Sequence, residues 1–202
     1  MIVDAIQLVE NGQSLDRNQM TEVFDAIMNG DCSDAHIQAL LVGLHTKGET
    51  VEELAGAATA MRKHMNPIRT RRENCVDTCG TGGGQAGTFN ISTAAAIVAA
   101  SAGASVAKHG NKKSTSRTGS ADVLKELGVN IECKPETVQK CLDVLGICFC
   151  YAPLFHPSVK HATKIRKKLD HPTIFNLLGP LCNPANAPFQ LLGAGRSDTR
   201  HK

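Results

Sequence analysis

The sequence predicts an α/β protein in two parts: a small N-terminal α-helical domain, then an α/β domain with a mainly parallel central sheet. Three observations carry this. Apolar residues recur at helical spacing through the first third of the chain. From Cys75 onward, short strand-like runs alternate with helical ones. A glycine-dense loop stands where the first of those strands would hand over to a helix. The boundaries read as a helical domain over 1–66, a linker or hinge over 67–74, and the α/β domain over 75–202.

In the helical part, Met20, Val23, Phe24 and Ile27 share one face and stop at Gly30. Ile37, Leu40, Leu41 and Leu44 follow a Ser33 cap and stop near Gly48. Thr50 and Glu53 then stand at capping-box spacing at the head of a third helix. Such a bundle could dimerise, bind DNA as a helix-turn-helix, or scaffold; the absence of a basic recognition face makes DNA the least favoured of these. Pro67 and the polar run behind it read as a linker, because they lack any period.

The candidate strands are CVDT, ASVAKHG, GICFCYA and FQLLGA, and the helical runs between them are 91–101, 120–127, 135–145 and 157–169. Ligands of parallel sheets gather outside the carboxyl ends of the strands.

Composition narrows the function. With 202 residues and 42% hydrophobic content the chain can bury a sizeable core. The net charge of +3 is spread out apart from Lys112-Lys113 and Arg166-Lys167-Lys168, there is no Trp, and Tyr151 is the one tyrosine, which disfavours a nucleic-acid partner. No run reaches membrane-span length and the amino terminus carries Asp4 where a signal peptide would carry base, so a cytoplasmic protein is expected. The eight cysteines are expected to be reduced, small and buried rather than disulfide-bonded or zinc-binding, and the 148/150 pair is expected to share one face of a strand.

The glycine loop between CVDT and the helix at Ile91 offers bare amides and a helix amino terminus, a combination suited to phosphate. Thr81, Thr88, Ser92 and Thr93 add hydroxyls. A tight strand-to-helix turn would also use glycine, but needs only one or two. The P-loop is excluded because no Gly-Lys-Ser/Thr follows, and the dinucleotide fingerprint because no acid closes a second strand about 20 residues on. One strand later, KHGNKKSTSRTGS repeats the logic: Lys108, Lys112 and Lys113 supply cations, and Ser114, Thr115, Ser116 and Ser120 supply hydroxyls. Two such loops at adjacent strand ends could hold two phosphate groups of one ligand; alone, the second would pass for a solvated basic loop.

Taken together, GTGG with GTFNIST, KHGN with STSRTGSADVLKELG, HPSVKHATKIRKKL and TIFNLLGPLCNPA resemble the anthranilate phosphoribosyltransferase family, in order and through nearly the whole chain. The resemblance implies transfer of phosphoribose from phosphoribosyl diphosphate to the amine of anthranilate, in tryptophan biosynthesis, with Mg2+. It implies that Gly80, Gly82, Gly83, Thr88, Asn90, Ile91, Ser92, Thr93, Lys108, Ser116 and Ser120 surround phosphoribosyl diphosphate, and that Ser92 also helps hold magnesium. It assigns anthranilate to Gly80, His109, Asn111, Arg166 and Gly179, with no residue as acid or base. A homodimer through the N-terminal helices is also implied. Other readings are a phosphoribosyltransferase for a different aromatic or nucleobase acceptor, and a non-catalytic anion-binding or dimerisation module. Two departures from the family pattern stand out: Gly84 replaces an aspartate of the glycine loop, and the sequence ends at Lys202 ahead of an expected Asp-Glu metal pair and further strands, so the strand near 189–194 is expected at an exposed sheet edge.

Overall fold

The computed structural model describes residues 1–82, 89–113, 118–195, 197 and 200. The chain divides into two compact units, one made of Met1–Met65 with His156–Cys182, the other of Asn66–Phe155 with the segment from Asn183 onward.

The first unit is helical: α1 (Ile2–Glu10), α2 (Arg17–Asn29), α3 (Asp34–Lys47) and α4 (Val51–Lys63). Their ends follow the local chemistry. Asp16 and Gln19 cap α2 reciprocally, Gly30 closes it in the left-handed conformation at φ 85°, and Thr50 with Glu53 form the expected capping box on α4. The unit is completed by a 3-10 turn at Pro157–Val159, α9 (Lys160–Lys168) and α10 (Ile174–Leu181). The sequence pattern alone predicts one helix over 157–169 within the α/β domain. Instead, Ala162, Ile165, Ile174, Phe175 and Leu178 bury their side chains with Phe24, Ile27, Leu40 and Leu44 in one helical core. A nonlocal segment joins this bundle because its apolar stripe finds cover there.

Inside this unit Glu53 is fully buried. Its carboxylate accepts from Leu15 N at 3.0 Å, from Thr50 N at 2.8 Å and from Lys47 Nζ at 2.9 Å, so every oxygen of the buried charge is paired.

The second unit carries a four-stranded, all-parallel sheet of β1 (Cys75–Gly80), β2 (Ser105–Gly110), β3 (Ile147–Tyr151) and β4 (Phe189–Gly193), ordered β3-β2-β1-β4. Its helices are α5 (Ile91–Ser101), α6 (Ser120–Glu126), α7 (Pro135–Leu145) and the short α8 (Ala152–Phe155). All four strands fall within a residue or two of expectation. Ile68, Cys75, Ala107, Val138, Leu142, Cys148, Cys150 and Phe155 form the core beneath them. Much of the stretch read as a linker is bound to this unit: Ile68 is buried and donates its N–H to Pro184 O, while Thr70 Oγ1 and Arg71 N both donate to Asp143 Oδ1. β4 lies at the edge of the described sheet, with Phe189, Leu191 and Leu192 exposed.

All eight cysteines carry free thiols; Cys75, Cys148, Cys150 and Cys182 are buried, whereas Cys32, Cys79, Cys133 and Cys141 are half-buried, so only half meet the expectation of burial. Cys148 and Cys150 do share a face, their sulfurs 3.8 Å apart.

Candidate functional site

β1 and β2 are parallel neighbours in the second unit, so their carboxyl ends point to one end of the sheet, where both polar loops begin. β1 leads through Thr81 and Gly82 toward α5. Gly82 has φ 71°, a backbone state that disfavours any side chain. Thr81 is fixed from both sides, its N–H donating to Gly193 O at 3.0 Å and its hydroxyl accepting from Gly195 N at 3.0 Å. The predicted residues Gly83 and Thr88 lie outside the described residues, as does Ser116.

At the start of α5, Asn90 makes no side-chain cap. Its amide Nδ2 donates instead to Thr118 Oγ1 at 2.7 Å, joining the beginning of α5 to the far end of the second loop. Thr78 Oγ1 donates to Ser92 O at 2.8 Å. Lys108 extends beneath this turn, 3% exposed, and its ammonium donates to Thr78 O and to Ser92 Oγ. An ammonium has three N–H groups; among the described residues two find acceptors and the third is unspent. Thr93 Oγ1 is buried and, among the described residues, has no hydrogen-bond partner. Ile91 is exposed on the same turn. Burial pulls the Lys108 pKa down, and the charge of Asp77 works against that fall.

The described ends of the second loop are bonded to the start of α6. Asn111 O accepts from Ala121 N at 3.1 Å and Asn111 Oδ1 from Lys112 N at 2.8 Å. Asp122 Oδ2 accepts from both Lys113 N and Gly119 N at 2.8 Å. Those bonds, the one from Gly119 foremost, hold its carboxyl below the usual range. Ser120 opens α6, and His109 is buried, its backbone N–H donating to Asp77 Oδ1 at 3.1 Å. Gly80, Lys108 and His109 close β1 and β2, Ile91, Ser92, Thr93 and Ser120 open α5 and α6, and Gly82, Asn90 and Asn111 lie in the connections between them.

Arg166 and Gly179 belong to the helical unit. The Arg166 guanidinium carbon stands 4.8 Å over the Phe175 ring, and Phe175 in turn meets Phe24 at 5.4 Å. Among the described residues the guanidinium has no hydrogen bond or ion pair. Burial lowers its pKa. Gly179 lies on α10, where an added Cβ would stand in open space.

The helical-bundle domain of the glycosyl transferase family matches residues 3–65, and the a/b domain of the same family matches residues 72–201. The chain belongs to this glycosyl transferase family. Among its relatives, the anthranilate phosphoribosyltransferases of Rhodopirellula baltica and Desulforamulus reducens are 51% and 50% identical to it, each over 98% of this chain and over 58% and 57% of their own lengths. The chain therefore spans a little under three fifths of the curated relatives it matches. The crystal structure of anthranilate phosphoribosyltransferase from Thermus thermophilus superposes with a TM-score of 0.90 at 43% identity, covering 96% of this chain and 59% of that one. The Saccharomyces cerevisiae enzyme in complex with phosphoribosyl diphosphate and magnesium superposes with a TM-score of 0.89 at 29% identity, covering 98% and 59%.

Within this family member, sequence reasoning passed over several residues that shape the site. Asp77 is wholly buried between β1, β2 and β4, Gln190 donates to it from β4 at 3.3 Å, and Asp122 organises the second loop. An acid inside an otherwise apolar strand was the available signal for Asp77. Beside them, burial and the Asp77 charge push the Cys79 thiol up to about 12, which keeps it protonated at neutral pH.

Proposed function

We propose that this chain serves in the transfer of a phosphoribosyl group from phosphoribosyl diphosphate to the amine of anthranilate, releasing diphosphate. The observation that carries the reading is the buried Lys108 ammonium against the first turn of α5: among the described residues one of its N–H groups is unspent and Thr93 Oγ1 has no partner. Cleavage of the ribose C1–O bond leaves the electron pair on diphosphate while the amine attacks C1 and gives up a proton. Donors that wait for an anion stabilise that departing charge more than the bound substrate. Gly80, Gly82, Asn90, Ile91, Ser92, Thr93, Lys108 and Ser120, with Gly83, Thr88 and Ser116, are the residues we assign to phosphoribosyl diphosphate. His109, Asn111, Arg166, Gly179 and Gly80 are assigned to anthranilate, with the in-plane N–H groups of Arg166 suited to a carboxylate.

Magnesium would neutralise diphosphate oxygens. Ser92 would add one neutral oxygen to that cation. We also infer a homodimer through the N-terminal helices, supported by exposed Val3 and Val42 on α1 and α3, and a reducing, cytoplasmic setting, supported by eight free thiols. No helix among the described residues is long and apolar enough to cross a membrane.

The test is loss of anthranilate fluorescence on adding phosphoribosyl diphosphate and magnesium, run beside a titration of each substrate. Decay supports transfer. Binding of both without decay would leave an anion-binding module, and binding of neither would end the proposal.

A further inference from the structure

β1 and β2 are hydrogen-bonded neighbours only at their beginnings, Cys75 with Ser105 and Val76 with Val106. The flanking pairs differ: β1 stays in register with β4 from Val76 to Gly80, and β2 with β3 from Val106 to Gly110. Where the central ladder stops, side chains take over its hydrogen bonds. The His109 N–H donates to Asp77 Oδ1 instead of to a β1 carbonyl. The Thr78 carbonyl accepts from Lys108 Nζ instead of from a β2 amide. On the opposite flank, Gln190 Nε2 donates to Asp77 Oδ2 at 3.3 Å and to Cys79 Sγ at 3.2 Å. Asp77 itself is fully buried. A buried carboxylate is costly unless it is fully bonded, so its place between three strands needs a compensating use.

We propose that Asp77 is a positioning residue: held by Gln190, its carboxylate carries the end of β2 through the His109 N–H and keeps the carboxyl ends of β1 and β2 apart, so that a crevice stands between the two strand ends. Asp77 does not touch substrate in this scheme. It sets the separation of the loops that do. The proposal rests on the phosphoribosyl diphosphate reading for its functional consequence, though not for its geometry.

Charge relocation tests it. Asp77→Ala removes the peg, and Gln190→Glu sets two carboxylates face to face. Asp77→Asn combined with Gln190→Glu restores an amide-carboxylate pair with its polarity reversed, while the substituted amide side chain keeps an oxygen for the His109 N–H. Asp77→Ala and Gln190→Glu should each weaken magnesium phosphoribosyl diphosphate binding about 10- to 100-fold, the worth of a buried bond to a charged group. The double variant should return to within about threefold of the parent, as expected for coupled neighbours. Hydrogen exchange at the His109 amide should speed up in Asp77→Ala and slow again in the double variant. A purely structural role would lower unfolding midpoints without pairwise rescue of affinity. Unchanged His109 exchange in Asp77→Ala, or a double variant no better than either single one, would overturn the proposal. If the parent chain takes up no phosphoribosyl diphosphate, the functional reading is what fails, and the His109 exchange with its rescue decides the positioning role alone.

Discussion

Replacing Arg166 by Ala should separate the two substrates. Its guanidinium lies over Phe175 and makes no hydrogen bond or ion pair among the described residues, so all five N–H donors in its plane are uncommitted. A carboxylate that takes two of them forms charge-assisted bonds worth about 1.5–3 kcal/mol net. At about 1.4 kcal/mol per tenfold, the variant should lose roughly 10- to 150-fold in anthranilate affinity. The cost to the helical unit should be modest: the contact with Phe175 is worth about 0.5–2 kcal/mol for a half-buried cation, and no buried partner is left without its mate. Phosphoribosyl diphosphate affinity should move by less than about threefold, because neither Arg166 nor the Phe175 ring beneath it is among the residues assigned to that substrate. Calorimetric titration of each substrate, with urea unfolding alongside, reads all three quantities. Arg166→Lys should recover only part of the loss, since an ammonium cannot offer the planar fork. Equal losses for both substrates, or no loss for anthranilate, would refute the assignment.

Two further outcomes follow from local geometry. In Gly119→Ala the new Cβ would stand 2.4 Å from Lys112 C and 2.5 Å from Lys113 N, both backbone atoms, so the second loop must shift; phosphoribosyl diphosphate affinity should fall at least about tenfold, with faster exchange of the Lys113 amide that now bonds Asp122. Glu53→Gln strips the charge from a wholly buried group paired with Lys47; urea unfolding should show a loss of about 3–5 kcal/mol, and a change below about 1 kcal/mol would mean that the pair contributes little.

Much of the fold was written in local patterns. The Gly30 stop, the Ser33 cap and the Thr50-Glu53 box lie where chemistry within four residues dictates them. The β1 and β4 runs were readable because the turn chemistry and apolar patterning around them are equally local. The grouping of Lys108 with Ser92 was foreseeable as two loops at neighbouring strand ends, one general property of parallel sheets. The placing of 156–182 was not. Its helical stripe announces that it needs cover, but a stripe carries no address, and Ile165 or Phe175 would suit either unit by composition.

The sequence by itself determined the extents of α3 to α7 to within a residue or two, which strands exist, and that bare amides, hydroxyls and lysines stand at two consecutive strand ends. Those features arise from interactions spanning a few residues, so order along the chain is enough to read them. Only the tertiary structure decided that α9 and α10 close the helical core, that Lys108 reaches beneath α5 with a donor to spare, and that Asp77 stands where the β1–β2 ladder ends. Each of these depends on residues tens of positions apart meeting in space, where desolvation makes every unpaired charge or donor costly and so selects one arrangement out of many that the local pattern allows.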